Sequence, residues 1–506
     1  MLRGAGAVLK AGRAAGCLLA ASLSLAGATA PLASAETEHA MVGISDPIAT
    51  GTAAGLLEAL APRWRAAGVD VAAVTADWRE IAPEKDSSTV PATFDASDPN
   101  SPLYNWANLD RVVSVLRANR LDPLLTVTGP GPLWSSSDPD RGSARFRPDP
   151  TMFAAFARAV ALRYGAQVAR YIIWYEPNDA ANLRPQSYCA KGRCSPRSPD
   201  TYRAIFNSAA PAIRAADRGA SVYAGALAAR GRTAPEEADD PLTPIAWLRS
   251  FGCVDGKGVA DRSSATCRQF SASTIDGLAF HPDQRAQAPS RHLRNTLEVG
   301  INDTRRLIRV LDTMQQTEGV VNGLDSAAPI DLYYSEWGYQ TNPPDVFSGV
   351  GLSNQSRYLQ EGAKIVYSQP RVKLLGQYLW RDEPVRDMGQ GVNAYAGGQS
   401  GLYGFDGVAK PAAASFPNPF WAAYGKVSRK ATLWGQVRPG GAHSVSIERR
   451  VGRHRFRAVE QLETDGQGYF KTQLPVSAQV RFRYWWSAGS SAKTRHFSDS
   501  LIVAPR

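Results

Sequence analysis

Eight short apolar runs recur along roughly the first 380 residues, and amphipathic stretches separate most of them. Runs of four to seven β-prone residues predict buried strands, whereas apolar residues three or four positions apart predict helices. The predicted strands are Met41–Ser45, Val69–Thr75, Leu124–Val127, Tyr171–Trp174, Ser221–Ala224, Ile275–His281, Ile330–Ser335 and Leu374–Trp380. The predicted helices are Ala53–Ala67, Asn108–Asn119, Met152–Tyr164, Tyr202–Ala216, Asn295–Met314 and Gln355–Tyr367.

Strands that alternate with helices predict a parallel sheet, and eight such units predict a (β/α)₈ TIM barrel of the α/β class. A doubly wound open sheet is the competing architecture. That fold places a glycine-rich phosphate loop after its first strand, and Gly43-Ile-Ser-Asp-Pro47 is not such a loop. The barrel is therefore favoured, with its active site expected at the carboxyl ends of the strands.

The pattern changes after about Arg429, where short β-prone runs alternate with Gly, Pro and Ser turns and no helix is evident. Short strands at regular spacing predict a small all-β sandwich. We expect a catalytic barrel over 36–428 and this sandwich over 429–506. Its predicted strands are Thr432–Val437, Ser444–Arg450, Arg455–Gln461, Tyr469–Leu474, Val480–Trp486 and Thr494–Ile502.

The first 35 residues have the pattern of a secretory signal peptide. Arg3, Lys10 and Arg13 precede an apolar run, and Ala33-Ser-Ala35 has the form of a cleavage site. The apolar run is short for a membrane span, and no later stretch reaches that length. The sequence therefore predicts a secreted, extracellular protein without membrane insertion.

Four cysteines follow the predicted signal peptide, namely Cys189, Cys194, Cys253 and Cys267. An even number in an oxidising compartment predicts two disulfides, and proximity favours 189–194 and 253–267, although four cysteines allow three connectivities. The alternative role of these cysteines is to bind a zinc ion. There is no Cys-x-x-Cys spacing and no nearby His cluster, so we expect no metal.

The net charge of +11 is concentrated at the carboxyl-terminal end. From Arg429 onward there are 14 Lys and Arg against 5 Asp and Glu, a net charge of +9. One interpretation is contact with an anionic cell-wall polymer, with Tyr484, Trp485 and Trp486 exposed. The other, which we favour, is a solvated stabilising domain with aromatic core residues. No nucleic-acid-binding motif is evident.

Two carboxylates stand at the ends of predicted strands. Glu176 follows the fourth strand, and Glu336 follows the seventh. An unpaired buried charge is costly, so this placement is more typical of a site than of a core. Two carboxylates about 5–5.5 Å apart support retaining glycoside hydrolysis. Hydrogen bonds from Tyr334 or Ser335 would favour ionised Glu336 as the nucleophile, whereas apolar packing around Glu176 would favour the acid/base role.

Five segments resemble clan A of the glycoside hydrolases, and most of all family 39, which includes β-xylosidases and bacterial exopolysaccharide hydrolases. They are Gly131-Pro-Leu-Trp134, Trp174-Tyr-Glu-Pro-Asn178, Phe280-His-Pro282, Tyr333-Tyr-Ser-Glu-Trp-Gly338 and Gln377-Tyr-Leu-Trp-Arg-Asp382, and the segment Gly401–Pro411 is also similar. The resemblance spans about residues 40–425. It implies an acid/base on strand four and a nucleophile on strand seven, with no cofactor.

Three positions depart from the pattern of the clan. Tyr175 stands where an Asn that holds the sugar 2-hydroxyl is usual, and Asp283 follows His-Pro where Tyr is common. An Arg near the end of strand two is replaced by Ala72 or a neighbour. We therefore hypothesise an unusual sugar or a furanoside whose 2-hydroxyl is held differently.

The resemblance and the strand-end positions suggest six residues for sugar binding: Trp134, Tyr175, Asn178, His281, Tyr334 and Trp380. Alternative roles remain open for several of them. The two tryptophans could be core residues, Asn178 could shape the turn after Pro177, and Tyr334 could be core or could bond the nucleophile.

The sequence thus predicts a secreted retaining glycoside hydrolase that cleaves O-glycosidic bonds in a polysaccharide or oligosaccharide. Transglycosylation would use the same carboxylates. A carbohydrate-binding protein derived from a hydrolase is the alternative from another class, and retention of both glutamates argues against it. The sugar, the linkage and endo or exo action stay open.

Overall fold

The computed structural model describes residues 39–505, except 54, 264, 387–390, 392–393, 396–397 and 489–493. The predicted signal peptide at 1–35 lies outside the described residues. Across the described ranges, no helix combines the length and the apolar character that are needed to cross a bilayer.

Eight parallel strands form a closed barrel, as predicted. Each strand pairs with its sequence neighbours, and β1 closes the barrel by pairing with both β2 and β8. The strands are β1 Met41–Ser45, β2 Val71–Asp77, β3 Asp122–Thr128, β4 Arg170–Ile173, β5 Ser221–Ala228, β6 Leu278–His281, β7 Leu332–Trp337 and β8 Val372–Tyr378.

Helices surround the barrel and pack their apolar faces on the strands in one large buried cluster. They are α1 Leu56–Ala66, α2 Trp78–Ile81, α3 Ala107–Ala118, α4 Pro150–Tyr164, α5 Ser198–Ala216, α6 Pro244–Phe251, α7 Ala265–Arg268, α8 Thr304–Gln316, α9 Leu352–Tyr367 and α10 Pro411–Ser415. Short 3₁₀ turns lie at Leu133–Ser135, Pro139–Arg141 and Ile301–Asp303. The barrel interior is filled by a separate apolar cluster in which the rings of Tyr223 and Tyr333 stack 4.0 Å apart. A filled interior places the site at the end of the barrel.

The predicted sixth strand is divided in the structure. Ser273–Ile275 pairs with Val320–Asn322 outside the barrel, and only Leu278–His281 enters the barrel as β6. Asp276 causes the break, because its buried carboxylate accepts a hydrogen bond from the Val222 amide and pairs with Arg214. The predicted helix at Asn295 likewise begins only at Thr304.

The carboxyl-terminal region forms two antiparallel sheets, consistent with the predicted sandwich. One has the order β9-β10-β13, and the other has the order β12-β11-β14-β15, with β16 also paired to β14. The strands are β9 Phe420–Gly425, β10 Lys430–Gln436, β11 Ser444–Val451, β12 Arg455–Glu463, β13 Tyr469–Pro475, β14 Val480–Ser487, β15 Arg495–Phe497 and β16 Leu501–Val503. The first sheet packs on α9, where the rings of Tyr367 and Trp434 are 5.5 Å apart.

The remaining strands are short and lie in the loops: Ser187–Ala190 with Arg193–Pro196, and Thr341–Asn342 with Val350–Gly351. Disulfides join Cys189 to Cys194 and Cys253 to Cys267, which confirms the predicted pairing.

Candidate active site

The end of β4 turns sharply and directs Glu176 toward the axis of the barrel. Trp174 and Glu176 have positive φ angles of 69° and 41°, which are uncommon for residues other than glycine. The Glu176 amide donates to the carbonyl of Ala226 on β5 at 2.9 Å, which fixes this turn. Backbone strain of this kind is concentrated at functional sites.

An irregularity in β7 places Ser335 and Glu336 on the same side of the strand. Tyr334 is opposite Leu375 and Trp337 is opposite Gln377, so β7 contains one residue more than β8 over this stretch. Such a bulge sets two neighbouring residues side by side. Glu336 therefore reaches the cleft, whereas Trp337 packs outward against α9.

His281, at the end of β6, lies between the two glutamates. Its Nδ1 is 2.9 Å from Oε1 of Glu176 and 3.7 Å from Oε2 of Glu336, and its Nε2 is 3.0 Å from the Ser335 hydroxyl. When Nδ1 carries a hydrogen it donates to Glu176; Nε2 then accepts from the Ser335 hydroxyl if the ring is neutral and donates to that hydroxyl if the ring is charged. The structure thus brings Glu176, His281 and Glu336 together, although they come from three strands.

Glu336 accepts a hydrogen bond on each of its carboxylate oxygens. The Ser45 hydroxyl donates to Oε1 at 3.0 Å, and the Tyr175 hydroxyl donates to Oε2 at 3.1 Å. Hydrogen bonds to the ionised form of a carboxylate favour its charge. Sequence reasoning missed Ser45, and its position at the end of the first strand was the one available signal.

The pKa values of three groups of this site are raised, although burial acts differently on acids and on histidine. It raises the pKa of Glu176 above its usual value, and the hydrogen bond and charge of His281 oppose that rise only in part. Burial disfavours the charged form of His281, yet the charge of Glu336 and the hydrogen bond to Glu176 outweigh it and raise the pKa of His281. Burial, with the charge of Glu336, also keeps the pKa of Tyr175 well above its usual range, so its hydroxyl stays a donor.

The two carboxylates open into a cleft of about 1100 Å³ at this end of the barrel. One wall is cross-linked by Arg230, which donates to Asp283 at 2.7 Å and to Glu298 at 3.2 Å. Other lining residues are Asp179, Arg285, Gln287, Tyr339, Gln340, Phe347 and Tyr378. A cleft that combines aromatic rings, amides and charged groups suits a polar ring-shaped ligand.

Both tryptophans are core residues, which is one of the two roles left open for them. The structure corrects their assignment to sugar binding, because neither lines this cleft. Trp134 is buried, with its indole N–H donating to the carbonyl of Pro83 and its ring against Trp78. Trp380 is buried between Tyr403 and Phe416. Both residues lie in loops next to the barrel. Their rings make more apolar contact with the side chains beneath these loops than they would make in the cleft.

Two further expectations are corrected. The side chain of Asn178 is fully buried and ties two loops together through the backbone of Ala228 and Leu242, because a buried amide needs partners for all its polar atoms. Tyr334 faces the helices and its hydroxyl bonds Thr304 at 2.8 Å, so it does not bond Glu336. Strand alternation explains this outward direction, because the preceding residue, Tyr333, points into the barrel interior. Ser335, its neighbour, bonds His281 instead.

No group of three or more His, Cys, Asp or Glu side chains in the described part of the chain is arranged to hold a metal ion.

Comparisons with known proteins give similarities of fold. No family model and no curated protein matches the sequence. Among solved structures, a glucosidase from Croceicoccus marinus has a TM-score of 0.48 at 12% identity, covering 87% of this chain and 94% of that one. A GH5_18 protein from Bifidobacterium longum has a TM-score of 0.45 at 10% identity, covering 75% and 77% of the two chains.

A family 1 β-glucosidase from Thermotoga maritima has a TM-score of 0.43 at 13% identity, covering 74% of this chain and 95% of that one. These similarities are low, and the assignment of the barrel rests on the strand order of the chain itself.

Proposed function

We propose that the protein is a retaining glycoside hydrolase in which Glu336 is the nucleophile and Glu176 is the acid/base. One observation carries this proposal, namely that Nδ1 of His281 lies 2.9 Å from an oxygen of Glu176 and 3.7 Å from an oxygen of Glu336. The sum of these distances is the upper limit for the separation of those two oxygens. The separation of these two oxygens is therefore at or below the short end of the roughly 6.5–9.5 Å range of inverting enzymes. A separation this short favours the retaining geometry.

The proposed reaction has two displacements. Glu336 attacks the anomeric carbon of the sugar while Glu176 gives its proton to the departing glycosidic oxygen, which leaves a covalent glycosyl-enzyme ester. Glu176, now ionised, then takes a proton from an incoming water molecule. The oxygen of that water attacks the anomeric carbon and releases Glu336, so both carboxyl groups return to their starting states.

The surroundings of the two glutamates support these roles. Ser45 and Tyr175 donate hydrogen bonds to Glu336, which suits a group that must attack in its ionised form. Burial raises the pKa of Glu176, which suits a group that must hold a proton near neutral pH. The resemblance of five sequence motifs to clan A, and most of all to family 39, supports the same assignment.

We infer that the sugar in this cleft is held without the usual contact to its 2-hydroxyl. The clan places an Asn before the acid/base, whereas Tyr175 here directs its hydroxyl to Glu336. An unusual sugar or a furanoside fits this substitution. Comparing a substrate with its 2-deoxy analogue tests the idea: a loss of several orders of magnitude would show that another residue holds that hydroxyl in place of the Asn, and equal rates would contradict it.

The catalytic roles can be separated with azide. On a panel of aryl glycosides and oligosaccharides, we expect Glu336→Ala and Glu176→Ala to lose at least about 10³-fold in turnover of unactivated substrates, whereas the exposed-site control Glu58→Gln is unaffected. Azide should restore Glu176→Ala with a glycosyl azide of retained configuration, and Glu336→Ala with one of inverted configuration. Equal turnover by the wild type and both alanine variants would refute the assignment.

The same panel separates the alternatives. Products longer than the substrate would indicate transglycosylation, in which a sugar hydroxyl replaces water in the second step. Binding without any turnover by the wild type would instead indicate a carbohydrate-binding protein.

We also infer that the protein works outside the cytoplasm, because disulfides persist in oxidising compartments and the first 35 residues have a signal-peptide pattern. Sequencing the amino terminus of the mature protein from the culture medium tests this. The net charge of +9 from Arg429 onward supports contact of this region with an anionic polymer.

A further inference from the structure

The second carboxyl-terminal sheet buries one side and exposes the other. Along β14, Tyr484 and Trp486 point into the sandwich, where they are 0% and 6% exposed. These two residues thus match the favoured interpretation, in which the aromatics are core residues, and do not match the alternative, in which all three neighbouring aromatics are exposed. Because side chains alternate along a strand, Trp485 points to the opposite side together with Arg483.

The strand register collects three aromatic rings and three arginines on that outer side. Trp485 is opposite Phe497 on β15, and Arg450 is opposite Phe456 on β12. We call this the arginine–aromatic face, and it consists of Arg450, Phe456, Arg483, Trp485, Arg495 and Phe497.

Two of the three arginines of this face lie against its rings. The Arg483 guanidinium is 4.0 Å from the ring centre of Phe456 and 4.4 Å from that of Phe497. The Arg495 guanidinium is 4.1 Å from the ring centre of Trp485. Stacking on an aromatic ring holds a guanidinium in place and leaves its N–H edge free to meet a ligand.

The charge of the face is positive and only partly neutralised. Glu448 is buried and pairs with Arg483 at 2.7 Å. Within the described residues, neither Arg450 nor Arg495 forms an ion pair, and both are exposed. Phe497 is 40% exposed although it is a large apolar residue. Exposed rings beside unpaired cations are unusual for a surface that only faces water.

We propose that the arginine–aromatic face binds a polysaccharide that carries carboxylate groups, and this proposal rests on the proposed glycosidase function. Arginine meets carboxylates in a planar, two-pronged fashion, and aromatic rings offer flat apolar surfaces to the C–H faces of sugar rings. The face would hold an acidic polymer, or the acidic part of a mixed one, while the cleft of the barrel acts on a sugar chain.

The test uses the full chain with Glu336→Gln, so that binding is measured without turnover. The probe is polygalacturonate, and its carboxyl-reduced neutral form is the comparison. We expect Arg450→Ala with Arg495→Ala to weaken binding at least 10-fold, and Trp485→Ala to weaken it at least 5-fold. The matched control is Arg449→Ala with Arg457→Ala, which removes the same charge from exposed residues that pair across the other side of the sheet. That control should change binding less than 2-fold.

Equal weakening by the two double variants would overturn the proposal, because it would show attraction to net charge alone. Equal binding to the neutral polymer would overturn the requirement for carboxylates. Tighter binding to single-stranded DNA or to phosphatidylserine vesicles would replace the polysaccharide with another partner. Since Glu336→Gln does not turn over, failure here leaves the glycosidase proposal standing, and failure of the azide experiment leaves the binding result standing.

Discussion

The hydroxyl of Tyr175 donates a hydrogen bond to Oε2 of Glu336 at 3.1 Å. The two residues come from β4 and β7, and Ser45 from β1 supplies the donor for the other oxygen at 3.0 Å. Three strands thus hold one carboxylate. Tyr175, which stands where the clan has Asn, is part of this arrangement. Its replacement would therefore affect the proposed nucleophile as well as the binding of a sugar.

Removal of the Tyr175 hydroxyl should slow the enzyme without unfolding it. A hydrogen bond to a charged group contributes about 1.5–3 kcal/mol, so Tyr175→Phe should lower kcat/KM about 10- to 100-fold on an aryl glycoside. The control is Tyr378→Phe, because Tyr378 lines the same cleft but makes no hydrogen bond to Glu336. An unchanged kcat/KM for Tyr175→Phe would show that the contact does not serve catalysis.

Ser45→Ala removes the donor to the other oxygen and should cost a similar factor in kcat/KM. Since both hydroxyls stabilise the same carboxylate, the effects of Ser45→Ala and Tyr175→Phe should not add. A double-mutant cycle on kcat/KM measures this coupling. Additive losses would indicate that the two hydrogen bonds act independently.

His281 should set the basic limb of the pH profile. In the proposed mechanism Glu176 must be protonated to act as the acid, so activity should fall as the pH rises through its pKa. Burial raises that pKa, whereas the hydrogen bond and charge of His281 lower it. His281→Leu removes the lowering influences and keeps the position apolar, so the basic limb of kcat/KM should move to higher pH.

His281→Asn is the matched control, because its amide can place a donor near the position of Nδ1. We expect a smaller shift of the basic limb for this variant than for His281→Leu. A limb that disappears in both variants would belong to the titration of His281 itself, and the assignment of the limb to Glu176 would then be wrong.

The sequence was sufficient to predict the barrel and the strands that carry the two glutamates, because eight buried strands leave a clear apolar pattern. The bulge in β7, by contrast, is not visible in the apolar pattern of the sequence. It sets Ser335 and Glu336 together on the side of the cleft, which depends on pairing with β8.

Contacts between residues that are far apart in the sequence were also beyond prediction from the sequence. Ser45 and Glu336 are 291 positions apart, and only the closed barrel brings them into contact. Trp134 and Trp380 were expected near the sugar, yet an aromatic residue at a strand end suits a buried loop and an open cleft equally well. Which of these applies is decided by tertiary packing.

The two disulfides should differ in their contribution to stability. Cys253–Cys267 spans 14 positions and Cys189–Cys194 spans 5. On the chain-entropy model, a loop of about 15 residues contributes about 3 kcal/mol and a loop of about 6 residues about 2 kcal/mol. Replacing both cysteines of a pair by serine should therefore lower the free energy of unfolding more for 253–267, as measured by urea denaturation. The reverse order would show that native-state packing outweighs loop entropy.

A buried ion pair should fix the long segment that follows β8. Lys410 donates to Asp382 at 2.7 Å, to Thr341 at 2.9 Å and to the carbonyl of Gln399 at 3.2 Å. The side chains of Lys410 and Asp382 are only 6% and 4% exposed. Removing one partner of such a pair leaves a buried charge without compensation, which costs about 3–5 kcal/mol. Lys410→Met should lower the free energy of unfolding by that amount in urea denaturation.

The decisive comparison for this ion pair is the double variant Lys410→Met with Asp382→Asn. Asparagine keeps the shape of Asp382 and can still accept the hydrogen bond from the Gly401 amide, which is 2.9 Å from the carboxylate, but it carries no charge. The double variant should therefore be more stable than Lys410→Met alone by at least about 1 kcal/mol, because a buried neutral amide costs less than an unpaired carboxylate. Equal stability of the two variants would mean that Lys410 acts through its contacts to Thr341 and Gln399 and not through its charge.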